Sequence, residues 1–446
     1  MENNNTNHIL IVLCIAYVCE SLNLYILYPI TPFLLVKFGI IEHVDNAGYY
    51  SGLFTAMLSL AQMLSCGYWG KISDKIGRKN VLIIGFISNS IINILFGFST
   101  NIYAALLCRF ACGMFNSNSA IIKSYVGEIS TNDTKGKNFG YLSVAWSVGV
   151  IIGSFVGGST YNLLFHDYPI LILSVIMSII YCINGMIVYN VIINTTKELT
   201  KQTFYDILEI KYNFPLFDIL KYIKDTDIIY SIIIYVFMTI VDMSLTEILP
   251  LWMVLSTQKG GLNYSSNYIS YVLTITAICG ILSQPLYIYI DSIIKRTSLF
   301  KISILCSMLL IVCLPYTNQL NNSFVLLCVL NVIRYIILSW LFNLAYLFVS
   351  SSANSDNIGR VNGVAQSIGA IFKILCPLVM DPIFTVSANS SYDYFGYHTI
   401  FYIIAFTYIF PFIFVFKLDE KKIERTDTTT TATTEMTTNT IADNSV

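Results

Sequence analysis

Twelve hydrophobic stretches, each long enough to cross a bilayer, follow one another along the chain, and nothing else in it limits the possible folds so tightly. They cover 9–36, 47–69, 80–99, 101–122, 138–161, 169–193, 228–256, 266–290, 298–316, 323–349, 362–386 and 396–417. Hydrocarbon offers the backbone no water, so each stretch is expected to pair its own N–H and C=O groups as a helix. The fold class expected is therefore an all-α membrane protein of twelve transmembrane helices. Of 446 residues 55% are hydrophobic, close to what twelve spans of ~20 residues need. Charged residues make up only 11%, too few to coat a soluble surface. A net charge of −1 leaves no bulk basicity for binding nucleic acid.

The basic residues test the count independently, because Lys and Arg gather in cytoplasmic loops. With both termini cytoplasmic, twenty of them fall in inner loops, the linker or the tail, Lys123 among them, and only Lys37 and Lys259 fall outside. Arg109, Arg334 and Lys373 lie within spans. The first stretch has no basic leader and carries Glu20, so it reads as a retained helix and not a signal peptide. A multi-pass protein of the plasma or a vacuolar membrane is expected, working as a monomer in the lipid bilayer.

The chain divides into a cytoplasmic N-terminus (1–8), a six-helix half (9–193), a cytoplasmic linker (194–227), a second six-helix half (228–417) and a Thr-rich, apolar-poor tail (418–446) that reads as disordered. Phe217, Leu220 and Ile223 recur at helical spacing, so the linker either lies on the inner membrane surface or is simply solvated. The halves look duplicated. Asp74 and Asp291, Glu20 and Asp242, Gly140 and Gly363, and Arg109 and Arg334 are separated by 217, 222, 223 and 225 residues.

A charge near the bilayer centre costs ~3 kcal/mol or more, so it needs a partner or a water-filled cavity. Glu20 and Asp242 sit mid-span, as do Arg109 and Arg334; Glu247 and Lys373 extend the polar lining. Two pairings, Glu20 with Arg109 and Asp242 with Arg334, would suit a central site that answers to a proton or solute. The same pairs could also be static ties between helices. Stretches three, six, nine and twelve carry no interior charge and read as lipid-facing.

Several chemistries find no support. None of the four histidines forms an i, i+4 pair, no CxxC occurs among the eleven cysteines, and there is no P-loop, HExxH or nucleophile elbow. The expectation is no enzyme, no metal site and no cofactor. Sequons at Asn263, Asn321 and Asn389 fall in outer loops, where glycosylation is topologically open.

After the second stretch the chain reads Gly70-Lys71-Ile72-Ser73-Asp74-Lys75-Ile76-Gly77-Arg78-Lys79. This resembles GxxxDxxGRK, the signature loop of the major facilitator superfamily. The resemblance implies its fold of two pseudo-symmetric halves and a cytoplasmic gating motif built on Gly70, Asp74, Gly77, Arg78 and Lys79, with Glu128 as the candidate partner of Arg78. Arg109-Phe110-Ala111-Cys112-Gly113 is similar to the RxxQG of its twelve-span proton antiporters, with Cys112 for Gln. The run from Gly149 through Gly153 and Ser154 to Gly157 and Gly158 is similar to their GxxxGPxxGG, with Ser154 for Pro, and small residues at this spacing let helices approach closely. Residues 10–160, with Glu20-Ser21-Leu22-Asn23 and Lys123-Ser124-Tyr125-Val126-Gly127-Glu128, resemble the zinc-induced-facilitator-like branch. The function this implies is secondary active transport of a small molecule or ion by alternating access, coupled to protons as antiport. Uniport, symport or a non-transporting nutrient sensor are the alternatives.

Overall fold

The computed structural model of the 446-residue protein describes residues 2–130, 132–161, 168–192, 225–319, 323–352, 358–390 and 396–420. The linker up to residue 224 and the tail past 420 lie outside the described residues. The side chains of Asp74, Arg360 and Gly363 do so too. No strand occurs among the described residues.

Each of the twelve hydrophobic stretches contains helix among its described residues. The first half contains α1 (Glu2–Tyr25), α2 (Thr31–Lys37), α3 (Gly52–Ile76), α4 (Arg78–Gly97), α5 (Ile102–Phe115), α6 (Asn118–Ile129), α7 (Asn132–Thr160) and α8 (Leu171–Val191). The second contains α9 (Thr226–Val254), α10 (Ser266–Leu282), α11 (Gln284–Ile293), α12 (Arg296–Cys313), α13 (Ser323–Ser352), α14 (Ile358–Ala388), α15 (Thr399–Thr407) and α16 (Ile409–Val415). Among the described residues nine helical segments are long and apolar enough to cross a membrane. The remaining three stretches correspond to α3, the α5–α6 pair and the α15–α16 pair. The backbone of α1 begins at Glu2, ahead of the first hydrophobic stretch.

Local chemistry explains the breaks. Between α4 and α5 only four residues turn the chain, and the Asn101 side chain caps α5 by accepting the Ala104 N–H at 2.9 Å. Gly77 separates α3 from α4 with φ +91°, a conformation that a side chain would strain. Asn116 and Ser117 interrupt the fourth stretch, and Pro285 enters at the first turn of α11.

The same helix pairings recur in both halves. In the first, α1 lies along α7, α4 along α8 and α3 along α5; in the second, α9 lies along α14, α12 along α15 and α10 along α13. Two further pairs cross between the halves, α7 with α10 and α3 with α14, and they are equivalent under the same repeat. This is the arrangement that the sequence offset implies. Lipid-facing stripes are plain on the outer helices: Ile84, Ile87, Ile91 and Leu95 on α4, and Val175, Ile179, Ile183 and Met186 on α8, are all exposed at helical spacing.

The α7 glycines set the closeness of the packing. A Cβ on Gly149 would run into Ser21 and the Val18 carbonyl, one on Gly153 would meet the Leu22 carbonyl at 2.8 Å, and one on Gly157 the Ile26 carbonyl, all on the first span. Gly158 faces the other half, against Ser266 and Ser270 of α10. A single glycine stripe thus ties the first span to the seam between the halves.

Candidate functional site

The seam is sealed by hydrogen bonds at the end bearing the 37–52 loop. Asp45 accepts the Ser256 N–H (2.8 Å), the Ser256 hydroxyl (2.9 Å) and the Lys259 ammonium (3.0 Å). Asn389 donates to Asn46 at 3.0 Å, and the Ser51 hydroxyl to Asp381 at 2.9 Å. Gly52 packs so near Pro377 that a Cβ would lie 2.6 Å from the Pro377 carbonyl. Burial pushes the Asp45 pKa up, but the Ser256 backbone bond, Lys259 and the Ser256 hydroxyl outweigh it and hold the carboxyl below its ordinary value. At the opposite end two ion pairs among the described residues stay within their own halves: Arg78 to Glu128 at 2.7 Å and Arg296 to Asp291 at 3.2 Å. Arg78 also donates to the Ser73 hydroxyl, Lys79 lies 5.0 Å from the centre of the Tyr189 ring, and Gly70 has open space around it.

Deep in the first half, Glu20 is buried and accepts a hydrogen bond from Asn118 at 2.8 Å, with Asn116 beside it. Its other oxygen, Oε2, has no partner. The expected pairing with Arg109 does not form. Arg109 lies seven residues before Asn116, about 10 Å of helix, and stacks on Phe96 at 4.9 Å from the ring centre. It borders a cavity of about 10 Å³ with Asn23, Asn93 and Ser174, room for about one water and no more. Cys112, where the resembled motif has Gln, is packed against Leu58 and Ile92.

The second half makes the equivalent departure. Arg334 donates twice to Asn331, at 2.9 and 2.8 Å, and forms no ion pair with Asp242. Asn331 stands one turn earlier on the same helix, so it reaches the guanidinium first. Asp242 keeps partial access to solvent and feels both Lys373 and Arg334 electrostatically. Tyr25 of the first half is close enough to sense Asp242, Tyr335 and Glu247.

Two features escaped the sequence reading. Asp381 is fully buried in α14 and interacts electrostatically with the buried Glu247 of α9; Glu247 Oε1 and Asp381 Oδ1 have no partner. Thr55 and Tyr28 stand beside Glu247 from the first half. An acid between Met380 and Pro382, inside a hydrophobic stretch, was the available signal. Lys123, counted with the inner loops, belongs instead to α6, which continues the fourth span to Ile129. Among the described residues no group of three or more His, Cys, Asp or Glu could hold a metal ion.

Residues 13–377 and 262–441 match the sequence profile of the Major Facilitator Superfamily. The chain is 26% identical over 418 residues to Protein ZINC INDUCED FACILITATOR-LIKE 1 of Arabidopsis thaliana, covering 87% of each chain. It is 26% identical over 383 residues to Quinolone resistance protein NorA of Staphylococcus aureus, covering 82% of this chain and 87% of that one. Among solved structures it resembles a D-xylose-proton symporter with a TM-score of 0.75 at 14% identity, over 94% of this chain and 99% of the other.

Proposed function

Because the chain belongs to the Major Facilitator Superfamily, whose members carry small solutes across membranes, we propose that this multi-pass membrane protein is a proton-coupled antiporter that exports its solute or sequesters it in a vacuole. The halves 9–193 and 228–417, twelve spans in all, rock about the seam, joined by the linker 194–227, and the protein acts as a monomer. Both termini are cytoplasmic, so the end sealed by Asp45, Ser51 and Asn46 faces away from the cytoplasm and the cleft opens inward.

The observation that supports coupling to protons is the acid pair in the seam. Glu247 and Asp381 are buried side by side, each with an oxygen left unpaired, and their neighbours across the seam are the hydroxyls of Ser51 and Thr55 in place of cations. Two carboxylates so placed repel unless they share a proton. A proton taken from the far side therefore lets this end close, and its later loss to the cytoplasm sets the carboxylates repelling and reopens it. Glu20, with Oε2 free and Asn118 and Asn116 as partners, is the equivalent acid of the first half. Arg109, Arg334 and Asp242 line the route, while Asp74, Arg78 and Glu128 act at the cytoplasmic gate.

The test starts from solute profiling of cells with and without the protein, followed by reconstitution in vesicles that report internal pH. Antiport moves protons opposite to the solute; a symporter moves them with it and a uniporter not at all. Glu247→Gln and Asp381→Asn should abolish gradient-driven transport while leaving solute exchange. Gradient-driven activity that survives in both variants rejects the acid pair as the coupling site, and a protein that moves no solute is the nutrient sensor.

A further inference from the structure

Two lysines from opposite halves stand close to one another with few acids beside them. Lys123 on α6 and Lys373 on α14 come from opposite halves, both are exposed, and they interact electrostatically with each other. Since each senses the other half, their exposed surface is surface of the cleft and does not face lipid. Neither forms an ion pair with a described residue. Among the described residues the acid within reach of Lys373 is Asp242, which it shares with Arg334. Lys373 thus feels a second ammonium from the other half and one carboxylate that Arg334 already claims, while Lys123 has Tyr346 and, among the described residues, no acid beside it.

The walls beside them are aromatic. Tyr17 lies under Lys123, with the ammonium 5.8 Å from its ring centre, and Tyr17 packs on Trp146 at 5.1 Å. Trp146 in turn meets Tyr25 edge-on at 6.5 Å. From the second half Tyr346, exposed, lies near enough to Lys123 to interact with its charge. Rings beside one cation and a second cation from the other half suit a solute that has a flat apolar body and a negative charge: the body stacks on the rings, and the charge sits between the ammonium groups.

We propose that Lys123 and Lys373 form the substrate site and that the substrate is an aromatic organic anion, held by one lysine from each half. This rests on reading the chain as a transporter. On this reading the two lysines repel across the empty site, and a bound anion draws them together.

The experiment uses the purified full-length protein and three probes of one shape: naphthalenecarboxylate, naphthalenecarboxamide and naphthylmethylammonium. Binding is read from native fluorescence, to which Trp146 contributes, and from the shift in melting temperature. The carboxylate should bind saturably and roughly tenfold more tightly than the amide, the ammonium more weakly still, and Lys123→Gln or Lys373→Gln should each remove most of that preference. Lys301→Gln, which alters a cation lying 4.0 Å from the Phe416 ring centre on α16's end of the bundle, should leave it intact. Equal binding of amide and carboxylate overturns the proposal, as does a preference that survives loss of both lysines. If the variants fail to fold, the three probes on the unaltered protein still decide. Bound carboxylate that never crosses a vesicle membrane removes the transport reading and leaves the site; solute transport indifferent to substrate charge removes the site and leaves the transporter.

Discussion

Replacing Asp45 with Asn tests whether the hydrogen bonds at the far end hold the halves closed. Asp45 makes three contacts to the second half, to the Ser256 N–H, the Ser256 hydroxyl and Lys259. Asn keeps one oxygen acceptor, so the loss is the charge-assisted share of these bonds and the attraction of Lys259. The Lys259 side chain is 35% accessible and Asp45 12%, so the ion pair itself is worth only about 0.5 kcal/mol after screening. Weakening the two charge-assisted bonds adds about 1 to 1.5 kcal/mol. A total near 2 kcal/mol shifts the closed-to-open ratio by about thirtyfold. Hydrogen exchange read by mass spectrometry reports it directly, since the Ser256 amide is one of the donors. Peptides spanning 254–266 should exchange ten to thirty times faster in Asp45→Asn, with peptides of α8 unchanged. A change of less than about twofold at 254–266 would refute the claim that this cluster holds the seam.

The sign of the pH dependence at the same residue follows from its lowered pKa. The contribution of Asp45 is fully present above the ordinary carboxylate value of ~4 and is lost as pH falls through its own, lower value, so protection at 254–266, taken relative to the intrinsic exchange rate at each pH, should be flat from neutral pH into the mildly acidic range. Gly157→Val, which drives a side chain into the Ile26 carbonyl, should cost about 1 to 3 kcal/mol and reduce folded yield on size exclusion, while Gly140→Ala, with open space around it, should not. Asn331→Leu should strand the Arg334 guanidinium and cost about 3 kcal/mol of stability, read as a sharp fall in melting temperature, whereas Asp242→Asn should leave the melting temperature nearly unchanged; the reverse order would mean that Asp242 is what holds Arg334. Arg78→Ala should cost no more than about 1 kcal/mol, because Glu128 is 51% accessible, and a charge-swapped Arg78→Glu with Glu128→Arg should recover the loss in a melting assay.

What the sequence disclosed and what it hid have separate physical causes. Helix position was legible because spanning length and basic-residue placement are properties of local composition, and the duplication was legible because Asp74, Asp291, Glu20 and Asp242 repeat at nearly one offset. The pairing of charges was not. Opposite charges near the same depth invite a match of Glu20 with Arg109, but helix rotation and rise decide what meets, and Asn118 and Asn331 sit where the carboxylate and the guanidinium point. Neutral amides inside an apolar stretch draw little notice beside a charge, although they make the shorter contacts. Lys123 was misplaced for a related reason. Hydropathy falls off at Lys123 and Ser124, whereas the backbone carries the helix on to Ile129 and turns the lysine toward the other half.

The interruption of the fourth span at Asn116 and Ser117 bears on how the protein is made. α5 has 14 residues and α6 has 12, about 21 and 18 Å of helix, and neither reaches across a hydrocarbon layer of ~30 Å. With Arg109 in the first piece and Lys123 in the second, this segment is a poor candidate to leave the translocation channel for lipid by itself. It needs α3 and α4, against which it packs, to be waiting in the membrane as a docking surface. Insertion of the first half is then a cooperative event: a ribosome-bound chain truncated after residue 130 should place its fourth span correctly when α3 and α4 precede it, and should misplace it when they are replaced by an unrelated hydrophobic hairpin.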